Sequence, residues 1–565
     1  MRNTNKPWSP QPEVTRAPKS AYSAIASTTT KTSTRKSSGG FMDAMEKTRS
    51  SVYDLTLTEN GAVAHKTTGS KLLDMNFAVA SLRGKTDAEI AKMFRAAFNE
   101  NPILAMRWLF YARDAREGLG ERNLFRACVK DLAKQNQTAL VNALVPHFAE
   151  YGRWDDVLGL LDTKCKTVVL KSIKQQWTED IKGMNAGKSI SLMAKWIPSE
   201  QASNKDMKRW AGIISSYLKM SPRQYRKTLS ALRKHVDVVE RKMSSNNWQA
   251  IDYEAVPSQA NLRYNKAFLK HDYDRRNAFL GALEKGEAKI NSSVAFPHDI
   301  VHKYATVGGW RMTLKSHEDP ALEAMWKSLP DMVKGEASTI VVADGSGSMT
   351  TRVGGTNVSA LEVANALAIY FAERCKGEFK NKYITFSMTP QIVNLNGGSL
   401  LKNLRIALKH DECANTNIGA VFQLILETAK RNHMTQDEIP ANILIVSDME
   451  FDACASANHS RGAWGRMAPS QTLFDNIKHK FEQAGYTMPH LIFWNVNSRT
   501  KAIPMVQNEL GVTLVSGFSV NVCKSVMTNC VDPYDALVEA ISVERYDTIE
   551  KAVRSVICST VASAT

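Results

Sequence analysis

The stretch Thr339-Ile-Val-Val-Ala-Asp344-Gly-Ser346-Gly-Ser348-Met349 decides how the carboxyl-terminal half of this chain folds. Its apolar and β-branched residues predict a buried strand, which ends in a carboxylate followed by two hydroxyls at alternate positions. Alternate residues leaving a strand end can turn toward one point, in the crevice where open α/β sheets bind ligands. Carboxylate and hydroxyl oxygens are hard donors suited to Mg²⁺ or Mn²⁺. The motif therefore predicts a divalent-metal site at a strand end.

Working outward, the spacing predicts a strand over 336–343, a helix over 359–375, strands over 382–386 and 391–395, and helices over 400–409 and 417–430. A strand over 442–447, a helix over 471–484, strands over 489–496 and 512–515 and a helix over 534–543 follow. Short apolar strands alternating with helices predict a doubly wound, mostly parallel sheet covered on both faces. Two further loops then draw the eye. Asn415-Thr416-Asn417-Ile418-Gly419 opens a helix, and the strand Asn442-Ile-Leu-Ile-Val-Ser447 ends in Asp448. With the first motif, these loops resemble the metal-ion-dependent adhesion site of von Willebrand factor A (vWA) domains. The resemblance implies that Asp344, Ser346, Ser348, Thr416 and Asp448 hold a divalent metal, the hydroxyls directly and the carboxylates directly or through water. It also implies an acidic side chain of a partner protein as a further ligand. One departure is Met449-Glu450, where many vWA domains have a small residue, so that crowding or an added charge is expected there.

Catalytic alternatives lack their parts. Gly345-Ser346-Gly347-Ser348 is not a Gly-x-Ser-x-Gly elbow. The chain contains no Gly-x4-Gly-Lys-Ser/Thr loop. An aspartyl-phosphate enzyme would need a second Asp where Ser346 stands. A non-enzymatic role is expected. His298 and His302 share a helix face but lack further ligands, so no zinc site is expected.

The chain's 565 residues leave room for two or three domains. The eight cysteines are scattered with no Cys-x-x-Cys pair, which predicts reduced thiols. No long uncharged apolar run or apolar leader is present, so a soluble, cytoplasmic, monomeric protein is expected, without membrane contact. Of the net charge of +17, residues 1–335 carry +19 and residues 336–565 carry −2. Such asymmetry suggests a polyanionic partner for the amino-terminal part. Residues 1–40, rich in Ser, Thr, Lys and Pro, cannot offset their ordering entropy by apolar burial and are expected to be a disordered basic tail.

Residues 41–335 read as helical, with helices expected over 101–116, 122–135, 140–148 and 157–161, and residues 336–565 form the α/β domain. Tandem helices with short connections suggest an α-helical repeat of the HEAT-like kind. One helix starts at Ser221-Pro222, a cap followed by proline at the first position. Its stripe of Tyr225, Leu229, Leu232, Val236, Val239 and Met243 predicts a core-facing side. Off it lie Arg223, Arg226, Lys227, Arg233, Lys234, Arg241 and Lys242, with Arg263 and Lys266 downstream, the candidate RNA-binding residues. Tyr225, Trp248 and Tyr264 are interleaved aromatics for which core packing is the simpler reading.

The cluster Arg113-Asp114-Ala-Arg116-Glu117-Gly118-Leu-Gly120-Glu121-Arg122 has the composition of interhelix ion pairs. It resembles the signature of the TROVE module of the Ro autoantigen and of telomerase- and vault-associated proteins. Tyr151-Gly152-Arg153-Trp154-Asp155-Asp156 fits the same kind of turn. Trp196-Ile-Pro198-Ser-Glu200, Gly286-Glu-Ala-Lys-Ile290-Asn and Phe493-Trp494-Asn495 are closer to a less characterised family of this architecture in viruses and eukaryotes. The resemblance implies a ring of helical repeats joined to a vWA domain, gripping noncoding or single-stranded RNA on basic surfaces while the metal site docks a protein partner. The alternative is a metal-dependent protein-interaction scaffold without an RNA role.

Overall fold

A computed structural model describes residues 55–562 except 136, 237, 293–294, 309–310, 334–337, 387–388, 412–416, 453–471 and 523–530. The basic tail expected over 1–40 lies outside the described residues. Two hairpins flank the helical half: β1 (Leu55–Leu57) pairs with β2 (Val63–His65), and β3 (Ala305–Gly308) with β4 (Arg311–Leu314), both antiparallel. Both correct the all-helical expectation, since strands of three or four residues are too short to display a period of two.

β5 (Thr339–Asp344), β6 (Lys382–Phe386), β7 (Gln391–Asn394), β8 (Asn442–Ser447), β9 (His490–Asn495) and β10 (Val512–Ser516) form one sheet in the order β10-β9-β8-β5-β6-β7. All neighbours are parallel except β7, which runs against β6. From β5 the chain moves outward through β6 to β7, then returns to place β8 on the other side of β5. The strand order thus reverses at the β5/β8 crevice, the switch point at which α/β sheets gather ligands.

β5, β8, β9 and β10 are buried along almost their whole length, whereas the edge strand β7 is largely exposed. The helix Ala360–Arg374 begins in a capping box between Ser359 and Glu362 and is buried along nearly its whole length. It is sandwiched between the sheet and the helix Pro297–Tyr304 of the other half. Its buried Ile, Leu, Val and Phe side chains each contribute about 1.5–3 kcal/mol. The observed elements follow the expected α/β order, with one addition: a last helix, Asp547–Ala562, which leaves the sheet to pack on helices Pro102–Arg113 and Thr138–Leu144.

In the helical half, Pro222–His235 starts as expected, with Ser221 and Gln224 forming a capping box. It ends earlier than the stripe suggested: Val236 is its C-cap, and Val239–Ser244 is a separate short helix. This break divides two cores. Tyr225, Leu229 and Leu232 belong to the large core that runs through both halves, whereas Val239, Ile251, Tyr253, Val256, Ala260 and Phe268 form a satellite. Within the satellite Arg276 is fully buried. It donates to Asn265 and Asn261 and lies against Tyr253, Phe268 and Phe279, and burial lowers its pKa to about 10.

The Arg-Asp cluster forms the ion pairs its composition suggested. Asp156 takes Arg113 at 2.7 Å, Arg126 at 2.6 Å and the backbone N–H of Arg153 at 2.8 Å. Asp114 instead holds Arg545, from the other half, and the Tyr546 hydroxyl. Arg107 reaches Asp547 at 3.0 Å and also Glu550. Asn76 donates to the Leu514 carbonyl and Asn495 to that of Phe77. At the opposite end of the helical half, Glu323 accepts the Leu400 and Leu401 N–H groups at 2.8 and 3.2 Å. The helical half therefore meets the α/β half through both its first and its last elements. Among the described residues no helix is long and apolar enough to cross a membrane, and Cys128, Cys165, Cys375 and Cys558 are free thiols.

Candidate functional site

β5 and β8 end side by side, with Ala343 paired to Val446, and this brings Asp344 next to Ser447. The Ser447 hydroxyl donates to Asp344 Oδ2 at 2.6 Å, and the Ser346 N–H donates to Oδ1 at 2.9 Å. Ser346 and Ser348 hydroxyls lie 3.0 Å apart. Asp448 follows, fully buried, before Met449, whose φ of 63° is left-handed and unusual for a side chain of this size. Asp344, Ser346, Ser348 and Asp448 are thus gathered at the switch point. Thr416 lies outside the described residues.

Burial raises the pKa of Asp344, its hydrogen bonds opposing the rise. Burial first, and then the neighbouring Asp344 charge, push Asp448 up to about 7. Asp411 was missed by the sequence reading. Burial raises it to about 7 as well, against a 2.9 Å hydrogen bond from Asn365 and with a smaller push from Asp344. It stands so close to the Asp344-Gly345 loop that a Cβ on Gly345 would come within 2.9 Å of its carboxylate. A side chain at 345 would push the two apart.

Several carboxylates driven toward neutrality by burial and mutual repulsion, beside two hydroxyls, form a site that a divalent cation would relieve. Among the described residues no group of three or more His, Cys, Asp or Glu side chains is set to hold a metal. The fitting donor set is the mixed one: carboxylates of Asp344 and Asp448 with hydroxyls of Ser346 and Ser348.

Glu450 does not crowd this site. Its carboxylate accepts the Glu59, Arg499 and Thr500 N–H groups at 2.8, 2.7 and 2.9 Å, tying the loop after β8 to the β1–β2 turn and to the loop after β9. The same arrangement places Arg499 between Glu59, at 2.6 Å, and Asp448, at 3.4 Å. A guanidinium thus supplies part of the positive charge that Asp448 lacks.

The basic candidates separate into three groups. Arg223, Arg226, Lys227 and Lys234 are exposed on the outer side of Pro222–His235, and none makes an ion pair among the described residues. Arg241, Lys242, Arg263 and Lys266 ride on elements of the satellite core, where Lys242 already has a partner. Arg233 departs from the expectation. Half-buried, it donates to the Ala194 and Ile197 carbonyls at 2.8 Å each, completing the end of the helix Met193–Trp196. Burial lowers its pKa. Of the aromatics, Tyr225 is stacked on Trp177 in the core, Trp248 lies on His271, and Tyr264 packs edge-on to Phe268.

Two domain families match this chain. Residues 338–557 match the family described as "Domain of unknown function (DUF7788)". Residues 58–178 and 208–338 match "Domain of unknown function (DUF2828)". The matches meet at residue 338, just before β5, so the loops after β5 and β8 lie within the first match and the helix Pro222–His235 within the second. The chain is also similar to "Uncharacterized protein L728" of Acanthamoeba polyphaga mimivirus, 29% identical over 512 residues, covering 84% of this chain and 85% of that protein.

Proposed function

We propose that this is a non-enzymatic RNA-binding protein, with single-stranded or noncoding RNA held on the helical half and a divalent metal at the β5/β8 crevice for docking a partner. The observation that carries the RNA reading is the outer side of Pro222–His235. Four cations stand exposed there, opposite the buried stripe Tyr225, Leu229 and Leu232, and among the described residues they lack the acidic partners that occupy Arg113, Arg126, Arg153 and Arg209 elsewhere in the same half. Cations left unpaired in a region of strong positive excess are the electrostatic footprint of a polyanion. The return of the helical half onto the sheet through both ends supports the ring that the TROVE resemblance implies. The gathered Asp344, Ser346, Ser348 and Asp448 support a vWA-type site, in which the hydroxyls would ligate the cation directly and the carboxylates directly or through water, with an incoming acidic side chain as a further ligand. A protein scaffold without RNA is the second reading, favoured only by the metal-type loops.

Binding of a labelled single-stranded RNA at rising salt tests the proposal. Affinity is expected to fall steeply with salt. Arg223→Glu, Arg226→Glu, Lys227→Glu and Lys234→Glu together are expected to abolish it, each lost phosphate contact lowering the salt slope by about 0.7. Arg233 is left intact because its guanidinium holds a helix end. Absence of binding at low salt would overturn the RNA reading.

A further inference from the structure

The geometry points to a pocket for a single nucleotide in the helical half, apart from both the metal-type crevice and the exposed basic helix. It is a cavity of 580 Å³ bounded by Arg116, Arg153, Trp154, Gln175, Gln176 and Trp196. That volume lies within the range of small-ligand sites. Asp155 grips the Arg153 guanidinium through two contacts, of 2.9 and 2.6 Å, and so fixes it 3.8 Å over the Trp196 ring. The wall is therefore a rigid stack of a guanidinium on an indole, with Trp154 beside it, and such planes accept a nucleobase face. Gln175 and Gln176 each donate one Nε2 N–H, to Glu179 and Asp180, which leaves a second N–H and the carbonyl oxygen of each for a base edge.

The charge at the mouth suits a phosphate. The Arg116 side chain is exposed and has no side-chain partner among the described residues. Arg113, Arg126 and Arg153, by contrast, are paired with Asp156 and Asp155, so Arg116 is the lining cation open to an anion. Glu150 also lines the cavity and would disfavour an anion close to it, so the phosphate is assigned to Arg116. The ligand class is a nucleoside monophosphate unit, either free or at the end of a single strand. The second source rests on the RNA reading above.

Calorimetric titration of the full chain with AMP, GMP, CMP and UMP tests the pocket. At least one is expected to bind. Arg116→Glu, a surface change with no contact to lose, is expected to weaken it roughly tenfold or more, as is Trp154→Leu, while Trp154→Phe retains it. Unchanged melting temperatures show that the variants fold. Competition between the bound monophosphate and a short RNA identifies a strand end as the ligand, and its absence identifies the free nucleotide. Failure of all four to bind, or equal binding to wild type and both disabling variants, overturns the pocket. RNA binding without monophosphate binding sinks only the pocket. Monophosphate binding without RNA binding sinks only the RNA reading.

Discussion

Asp448→Asn is expected to make the metal-free protein more stable at pH 8, by on the order of 1–2 kcal/mol, while abolishing the stabilisation that Mg²⁺ gives the wild type. The two effects share one cause. Asp448 is fully buried, and burial together with Asp344 lifts its pKa from the ordinary 3.8 to about 7. As pH rises past 3.8 the unfolded chain releases its proton first, whereas the folded chain keeps it until about 7. The unfolded state therefore binds fewer protons across that window, and the stability of the metal-free protein falls as pH rises through it. Asparagine removes the charge that is costly above pH 7. It forfeits little with Arg499, which keeps its 2.6 Å pair to Glu59. A divalent cation reverses the sign for the wild type, because it binds the ionised carboxylates and stabilises the fold in proportion to its occupancy. Melting temperatures with and without saturating Mg²⁺, from pH 5 to pH 8, read both effects. The wild-type Mg²⁺ increment is expected to grow with pH and that of the variant to stay near zero. Equal increments in the two proteins would remove Asp448 from the metal site.

The same buried carboxylates show what a sequence can display and what it conceals. Thr339–Asp344 and Asn442–Ser447 were legible because central parallel strands are apolar throughout, and a polar residue at the end of such a run stands out. That reading singled out Asp344, Ser346, Ser348 and Asp448, although strand order was not visible and only the observed β5–β8 pairing brings the two ends together. Asp411 had no local signature. It follows the helix Leu400–Lys409 and reaches Gly345 only through the fold. The placement of Arg233 was hidden for the opposite reason. Helical periodicity assigns a residue to a face by its Cα, but an arginine's long stem can turn its guanidinium back to a neighbouring helix end. The hairpin β1–β2 was hidden by its brevity, yet its Glu59 and Asn60 are what Glu450 binds.

Asp156→Ala is expected to cost about 3–5 kcal/mol, the largest loss for any single truncation among the ion pairs of the described residues. Its side chain is wholly buried between Arg113, itself only 4% exposed, and Arg126, at 2.7 and 2.6 Å. Truncation would leave the Arg113 guanidinium in the core with neither counter-charge nor water. It would also release the Arg153 N–H that Asp156 accepts at 2.8 Å, loosening the turn that sets Arg153 over Trp196. Gly152 is part of the same construction: a Cβ there would come within 2.3 Å of the Asp156 carboxylate and 2.8 Å of Arg113 Nε, so the turn must be bare for the pair to form. Asp155, which is less buried and holds Arg126 and Arg153 nearer the surface, should cost less when truncated, about 1–2 kcal/mol. Denaturant unfolding of the full chain followed by far-UV circular dichroism measures both, read as the shift of the first transition, since a chain of two matched halves need not unfold in one step. Arg113→Met provides the contrast. Removing the buried cation while filling its space leaves Asp156 still paired with Arg126, so the loss is expected to be smaller than for Asp156→Ala. Equal losses would mean that the pair's packing, rather than the uncompensated charge, carries the energy.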